Sequence, residues 1–396
     1  MKIALKHPII FSIILVGLCF ICLEVITRVY YLYNYGYKSK AKDAVYSNQK
    51  DAKNIFKDSA KRKFEAYPYV MHRTKPNQHF RTFNINSLGF RGKEIEKTKK
   101  EGYFRIVILG GSAVWGTGAS NDEATISGSL ERKLNDVYNT KRFEVINAGD
   151  SAYISTQELI LLFDRIIELD PDLVITFDGY NDAYAGFINN VAGFPENFLQ
   201  FKEKLESHNV FSFLGLAVRE LLSHSMFLET IKQRLRVFIS RKTISLDNNE
   251  IPTTYVNAAD IARVYGRNLE YMYAILKDRR IKSLFTIQPI LAFGSKHLTD
   301  TEKSILAVSN IDIIGYSQYM KKVYSSLLQE LKRVHSKCGA KVLDLTGVFD
   351  NINGPVFIDD VHFSDEANDI IVQKIFEAII KEGLLQRDYA QNFKLS

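Results

Sequence analysis

The sequence predicts a three-layer α/β/α fold with a central parallel β-sheet. From residue 103 onward, short apolar segments rich in β-branched residues alternate with longer segments that have helical periodicity. Strands that alternate with helices of this length are typical of a parallel sheet covered by helices on both faces. The composition is that of a folded protein, because 46% of the 396 residues are hydrophobic and 24% are charged, close to the usage of globular domains.

Five predicted strands and four predicted helices follow this rhythm. The predicted strands FRIVILGG, FEVINAG, PDLVITFD, IKSLFTIQPIL and AKVLDLTGVF occupy residues 104–111, 143–149, 171–178, 281–291 and 340–349. The predicted helices occupy residues 124–138, 155–169, 317–339 and 365–385. In sheets of this class, ligands bind outside the carboxyl ends of the strands, so the functional site is expected at that edge.

The chain divides into three predicted regions: an N-terminal membrane anchor (1–33), a juxtamembrane stalk and strand–turn extension (34–102), and the main α/β domain (103–388). The extension is too small to bury a core alone and is expected to pack on the main domain. Residues 186–260 interrupt the α/β rhythm with two or three amphipathic helices. They form either a helical insertion packed on the domain or a lid or membrane-facing surface beside the site.

Residues 9–23 form an uncharged apolar run near the N-terminus. The run is shorter than the roughly 20 residues that span a bilayer. However, Glu24 and Arg28 lie one helical turn apart and can pair at the interface, and the tyrosines that follow can form an aromatic belt. A cleaved signal peptide is the alternative. No small-x-small cleavage pattern follows the run, which favours an uncleaved, single-pass anchor.

The formal net charge of +7 is concentrated in part in the lysine-rich residues 38–63. A nucleic-acid-binding protein would need a basic face on the folded domain and a matching motif. The sequence has neither, so no nucleic-acid partner is expected. The basic segment is either solvated or in contact with anionic lipid. Charge counting places the main domain inside the cell, whereas the signal-anchor interpretation places it on the extracytoplasmic side.

Four polar motifs stand at the ends of predicted strands or before the last helix. Ser112 follows two glycines directly after a strand and precedes a helix, a position that exposes its hydroxyl at the sheet edge. Glycine–serine loops after strands also bind phosphate, but this one is neither a P-loop nor a G-x-S-x-G elbow, since Val114 occupies the last glycine position. The other motifs are Asn147-Ala148-Gly149, Gly179-Tyr180-Asn181-Asp182 and Asp359-Asp360-Val361-His362.

The Asp-x-x-His spacing of Asp359 and His362 lets a carboxylate and an imidazole meet across one tight turn. The acid can then fix the ring tautomer and stabilise the protonated ring. The other seven histidines have no metal-ligand spacing, and the three cysteines form neither a disulfide framework nor a zinc-type pair. No metal and no cofactor is therefore expected.

Together and in this order, the four motifs resemble the conserved blocks of the SGNH/GDSL hydrolase superfamily. The resemblance covers residues 103–385, interrupted by residues 186–260, and implies a flavodoxin-like α/β/α fold with a Ser-His-Asp triad and an oxyanion hole. The residues that match the family's triad are Ser112, Asp359 and His362, and those that match its oxyanion hole are Ser112, Gly149 and Asn181.

The first block departs from the family pattern. The family usually has Gly-Asp-Ser where this chain has Gly110-Gly111-Ser112, and a literal Gly-Asp-Ser occurs at residues 149–151. A nucleophilic Ser151 would leave no oxyanion glycine between it and Asn181, so Ser112 is predicted. The family spacing likewise favours Asp359 over Asp360 as the triad acid.

Two further side chains adjoin these blocks. Asp182 is expected to brace its loop rather than to react. Trp115, beside the predicted nucleophile, either lines an acyl pocket or packs in the core.

The resemblance implies an ester-cleaving serine hydrolase in which His362 takes the hydroxyl proton of Ser112 as it attacks an ester carbonyl, with Asp359 orienting the ring. The leading hypothesis is a membrane-anchored esterase or deacylase acting on an acylated glycan, lipid or small molecule of a cell envelope. An O-acyltransferase accessory to polysaccharide assembly uses the same chemistry. A catalytically silent binding or scaffold protein is the third hypothesis, and the complete catalytic blocks argue against it.

Overall fold

The computed structural model describes residues 8–45, 52–198, 201–202, 225, 227–228, 231, 257–312 and 315–385. The chain separates into two compact units. The smaller contains residues 1–40 and 199–253, and the larger contains residues 41–198 and 254–396.

These unit boundaries differ from the predicted insertion at 186–260. Residues 186–198 and 254–260 belong to the larger unit, because helices of that unit extend into both ends of the range. The alternative prediction, that residues 186–260 form a lid beside the site, falls mostly on residues outside the described part of the chain.

The elements alternate between strands and helices along most of the described chain. In chain order they are α1 (Pro8–Val45), α2 (Ala52–Ser59), β1 (Phe64–Tyr67), β2 (Met71–Thr74), β3 (Gln78–His79), β4 (Asn84–Ile85), β5 (Phe104–Gly110), α3 (Ser112–Trp115), α4 (Ile126–Val137), β6 (Phe143–Gly149), α5 (Ser155–Leu161), β7 (Leu173–Asp178), α6 (Tyr180–Asn189), α7 (Ala258–Asp278), β8 (Lys282–Ile287), α8 (Asp300–Asp312), α9 (Tyr316–Cys338), β9 (Lys341–Asp344) and α10 (Asp365–Lys381).

A five-stranded sheet forms the centre of the larger unit, with strand order β6-β5-β7-β8-β9 and parallel pairing throughout. One face packs on α5, α7 and α9, and the other packs on α4 and α10. This arrangement confirms the predicted three-layer α/β/α fold.

Strand β5 shows why the sequence forms a doubly covered sheet. Every residue of the strand is buried. Successive side chains point to opposite faces, so Val107 and Leu109 join one core cluster while Ile106 and Ile108 join the other. A strand buried on both faces reads as a continuous apolar run, which is the pattern of IVIL at residues 106–109.

The register brings the polar motifs to one edge. Gly110, the last residue of β5, lies opposite Gly149 of β6 on one side and Phe177 of β7 on the other. The turns that follow β5, β6 and β7 therefore leave the sheet side by side, with Ser112 and Asn181 in two of them.

Several elements end where local chemistry stops them. Strand β8 ends at Ile287 instead of reaching residue 291 as predicted, because Pro289 has no N–H to donate to a ladder. Strand β9 ends at Asp344, whose Oδ1 accepts hydrogen bonds from the N–H (2.9 Å) and hydroxyl (2.7 Å) of Thr346 in place of a ladder bond. The predicted helix 155–169 is regular only to Leu161 and continues through a π-turn.

The extension packs on the edge of the sheet. Its strands β1 and β2 form an antiparallel pair, as do β3 and β4. A bridge between Arg91 and Asn147 attaches it to β6, and Phe83 and Ile85 are buried against Trp115. Because β6 is an edge strand of the central sheet, the extension covers backbone groups that would otherwise be open to another chain.

The smaller unit is built on helix α1. Its segment Ile10–Tyr30 is long and apolar enough to cross a membrane, although a signal sequence has the same properties. Glu24 pairs with Arg28 as predicted (2.7 Å). The Glu24 carboxylate also accepts hydrogen bonds from the Ser225 hydroxyl (2.7 Å) and the Phe227 N–H (3.1 Å), so α1 contacts the described residues of the 199–253 segment.

Candidate active site

Ser112 occupies the first position of α3, immediately after β5. A side chain on Gly110 would lie 2.4 Å from Val114 and 2.5 Å from the Phe177 carbonyl, and one on Gly111 would lie 2.1 Å from the Asn181 amide nitrogen. Only glycine allows so close an approach. The two glycines therefore let the chain turn sharply, and they place Ser112 next to Asn181.

A continuous hydrogen-bonded chain joins the three residues predicted as a triad. Nε2 of His362 lies 2.7 Å from Oγ of Ser112, and Nδ1 lies 2.8 and 2.9 Å from the two carboxylate oxygens of Asp359. An ionised carboxylate only accepts, so Nδ1 carries the ring proton and Nε2 is left to accept from the serine hydroxyl. All three side chains are partly exposed and thus open to a substrate.

The turn that holds Asp359 and His362 is closed by the carboxylate of Asp359. Oδ1 of Asp359 accepts the backbone N–H groups of Val361 (3.0 Å) and His362 (2.9 Å). The neighbouring Asp360 instead accepts from the hydroxyl of Ser309 at 2.5 Å. Of these two adjacent aspartates, it is Asp359 that contacts the imidazole.

Asn181, at the start of α6, lies beside the turn that carries Ser112. Its amide nitrogen donates to the Tyr153 carbonyl at 2.7 Å, and the amide has a second hydrogen to donate. The same nitrogen packs against Gly111, the residue before Ser112. One amide hydrogen thus fixes the side chain, and the other has no acceptor among the described residues.

Gly149 lies close to the site, but its amide already has a partner. Its N–H donates to Oδ1 of Asn147 at 3.2 Å. A side chain at Gly149 would lie 2.4 Å from the Trp115 nitrogen, so glycine is required for α3 to pack on β6. In the turn that follows, Ala152 has a left-handed backbone (φ +58°), and within the described residues its N–H makes no hydrogen bond.

The literal Gly-Asp-Ser at residues 149–151 faces the extension. Asp150 accepts the N–H (2.6 Å) and hydroxyl (2.9 Å) of Thr74. The Ser151 hydroxyl accepts from Arg62, and no imidazole nitrogen contacts that hydroxyl among the described residues. Among the described residues, the hydroxyl of Ser112 therefore lies against an imidazole nitrogen, whereas Ser151 meets the ring of His72 only through its backbone carbonyl.

Trp115 packs and does not line a pocket. The side chain is 1% exposed. The guanidinium groups of Arg62 and Arg91 lie 3.8 and 4.6 Å from its ring, and Phe83 meets it edge-on. Both arginines belong to the extension, and neither was predicted to approach the site, because no local sequence pattern distinguishes them from surface cations.

Three buried carboxyl groups lie beneath the Asn181 turn. Asp182 braces the turn as expected, because it accepts the N–H (3.0 Å) and hydroxyl (2.5 Å) of Ser155, and burial raises its pKa to about 6. Asp178 accepts from the Tyr265 hydroxyl at 2.7 Å, and burial and the charge of Asp182 raise its pKa to about 7. Burial and then the charge of Asp178 raise the pKa of Glu158 well above its ordinary value.

We expect Glu158→Gln to flatten the pH dependence of stability. Glu158 binds its proton more tightly in the folded protein than in the unfolded chain, so its contribution to the free energy of unfolding falls as the pH rises above 4.5. Glutamine keeps a donor for Asp178 and does not titrate. Chemical unfolding at a series of pH values measures the difference.

The matched control for this prediction is Glu377→Gln. Glu377 is exposed, and its pKa is lowered, first by a hydrogen bond from Gln373. This variant should keep the wild-type decline above pH 4.5. An equally steep decline in Glu158→Gln and wild type would contradict the prediction.

Comparison with known proteins finds similarity only among solved structures. The sequence matches no protein-family model, and no curated protein sequence is similar to it. Among solved structures, the chain is similar to an acetyl xylan esterase, with 15% identity over 70% of this chain and 100% of that chain and a TM-score of 0.38. It is also similar to a lipase/acylhydrolase from Enterococcus faecalis (15% identity, 70% and 96% coverage, TM-score 0.39). A third similar structure is a GDSL-like lipase from Bacteroides thetaiotaomicron (15% identity, 70% and 88% coverage, TM-score 0.35).

Proposed function

We propose that the protein is a serine esterase or acyl hydrolase of the SGNH type. The observation that carries the proposal is the unbroken hydrogen-bonded chain from Asp359 through His362 to Ser112. A nucleophile within hydrogen-bond reach of a base, with the base oriented by a third group, is the arrangement that nucleophilic catalysis requires. All three groups reach solvent at the carboxyl edge of the sheet.

The chemistry follows from the positions of the atoms. As Oγ of Ser112 bonds to the ester carbonyl carbon, its proton passes to Nε2 of His362, and Asp359 stabilises the imidazolium. The imidazolium then protonates the departing alkoxide, which leaves an acyl-serine. Water gives a proton to the same nitrogen and attacks the acyl carbon, and Oγ of Ser112 recovers its proton as the free acid departs.

Three donors surround the position of the developing oxyanion in this proposal. They are the N–H of Ser112, the free amide hydrogen of Asn181 and a backbone N–H from the turn after β6. The Gly149 amide matches the family pattern but is engaged by Asn147. The N–H of Ala152 has no partner among the described residues and lies next to the Tyr153 carbonyl that holds Asn181, so it is the better candidate for this third donor.

Asn181→Ala is expected to lower kcat about 10²- to 10³-fold with little change in KM, because an oxyanion donor acts mainly in the transition state. Steady-state kinetics on a p-nitrophenyl ester measures the change. Asn189→Ala, at the far end of the same helix, is the control and should keep wild-type kcat. A rise in KM with unchanged kcat would show that Asn181 binds substrate without stabilising the transition state.

We further propose that helix α1 is an uncleaved single-pass anchor and that the larger unit acts on the extracytoplasmic side. The substrate is then an O-acyl ester of a cell-envelope glycan or lipid. The apolar segment Ile10–Tyr30 supports the anchor, and the partly exposed triad is open to a large substrate.

Labelling of the detergent-solubilised full chain by a fluorophosphonate tests the function. We expect a single labelled peptide that contains Ser112, together with hydrolysis of short p-nitrophenyl esters. Labelling without hydrolysis, combined with acyl transfer to a sugar hydroxyl, would favour an O-acyltransferase. Neither labelling nor turnover would favour a silent scaffold.

A further inference from the structure

A segment of the extension, residues 62–74, holds the turn that follows β6, and we call this segment the clasp. Thr74 donates both its N–H and its hydroxyl to the carboxylate of Asp150. The ring of His72 contacts the Ser151 carbonyl at 3.0 Å. In the opposite direction, the hydroxyl of Tyr153 donates to the His72 carbonyl at 2.5 Å.

These contacts are withdrawn from water. Thr74 and Tyr153 are each 1% exposed, and Asp150 is 6% exposed. The side chain of Arg62 is buried over Trp115, and burial lowers its pKa to about 10, so it remains charged at neutral pH. Buried hydrogen bonds to charged groups are the strong ones, and a partner left unpaired there is costly.

The turn needs such support because of its backbone. Ala152 has a φ of +58°, a left-handed conformation that costs a residue with a side chain about 1 kcal/mol or more. Clasp contacts flank it on both sides, at Asp150–Ser151 and at Tyr153. The carbonyl of Tyr153 is the acceptor that fixes the amide of Asn181.

We propose that the clasp is a positioning element for the oxyanion hole, with Thr74 and Asp150 as its central pair. This inference rests on the proposed esterase function and extends it to a part of the chain outside the α/β domain. The clasp fixes the turn at Asp150–Tyr153, and the turn fixes both the N–H of Ala152 and the side chain of Asn181. The Gly-Asp-Ser at 149–151 therefore serves as an attachment point for the clasp and not as a nucleophile block.

Thr74→Val in the full-length protein tests the proposal, because valine matches the shape of threonine and lacks its hydroxyl. We expect kcat on a p-nitrophenyl ester to fall about tenfold with KM unchanged, since misplaced oxyanion donors weaken the transition state and not the ground state. The rate of fluorophosphonate labelling should fall in parallel. Thr74→Ser, which restores the hydroxyl, should recover most of kcat.

Thr82→Val is the matched control. Thr82 belongs to the same extension, is 4% exposed, and contacts Asp58 instead of the turn after β6. Thermal unfolding midpoints of the two valine variants measure any general loss of stability. Equal losses of kcat in both variants, or a change confined to KM in Thr74→Val, would overturn the proposal.

Amide hydrogen exchange separates this proposal from the esterase function. Residues 150–153 should exchange faster in Thr74→Val than in Thr82→Val, whether or not the tested ester is a substrate. If the wild-type protein is an active esterase but residues 150–153 exchange at the same rate in both valine variants, the clasp proposal is wrong and the esterase function stands. A wild-type protein that is neither active nor labelled at Ser112 would contradict the esterase function. Faster exchange of residues 150–153 in Thr74→Val would still support the contact between Thr74 and Asp150.

Discussion

Ser112→Ala is expected to reduce kcat about 10⁴- to 10⁶-fold, because it removes the proposed nucleophile and leaves only the binding and oxyanion contributions. The hydroxyl lies 2.7 Å from Nε2 of His362, so the variant removes the proposed nucleophile and leaves the proposed base in place. Steady-state and burst kinetics on p-nitrophenyl esters measure the loss, and covalent labelling by a fluorophosphonate should disappear entirely.

Ser151→Ala is the matched control for this prediction. The same substitution at the serine of the literal Gly-Asp-Ser removes an acceptor for Arg62 but no reacting atom. We expect at most about a tenfold loss of kcat, in line with a positioning contact, and retention of the covalent label. Loss of the label in Ser151→Ala with activity retained in Ser112→Ala would refute the nucleophile assignment.

Asp359→Asn should have the second largest effect, a loss of about 10⁴-fold in kcat. An asparagine amide can donate to Nδ1 of His362, which would move the ring proton to Nε2. The ring could then no longer accept the proton of Ser112. The asparagine oxygen can still accept the two backbone N–H groups that close the turn. The loss of kcat should therefore come from the changed tautomer of His362 and the missing carboxylate charge, and not from misfolding of the turn.

Asp360→Asn gives the comparison for Asp359→Asn. The two aspartates are adjacent, but Asp360 contacts the hydroxyl of Ser309 and not the imidazole. Its variant should stay within about fivefold of wild-type kcat, since one exchanged hydrogen bond is worth about 1 kcal/mol. Similar losses in the two variants would place the effect in the folding of the loop and remove Asp359 from the triad.

Much of the fold was predictable because its strands are buried on both faces. The run from Ile106 to Leu109 has no surface side to interrupt its apolar pattern, and it is followed by the glycines that the turn requires. The motifs were visible for a related reason: parallel strands expose their carboxyl ends at one edge. The Asp359–His362 pair was the most predictable part of the site, since a single turn contains both residues.

Other features depend on contacts between distant parts of the chain. Thr74 and Asp150 are far apart in sequence, and neither carries a local pattern that indicates the other. The engagement of the Gly149 amide by Asn147 depends on a rotamer, which a sequence does not reveal. Helix α8 was missed because its pattern is weakly amphipathic, and Glu158 was missed because it lies within an ordinary amphipathic helix.

The position of Trp115 gives the protein a built-in optical probe. It is the single tryptophan of the chain, three positions after Ser112, and the guanidinium groups of Arg62 and Arg91 lie against its ring. Release of the extension would move this indole from a dry, cation-flanked environment into water. Its emission spectrum, excited where tyrosine does not absorb, would therefore report attachment of the extension to the helix that carries Ser112, with no added label.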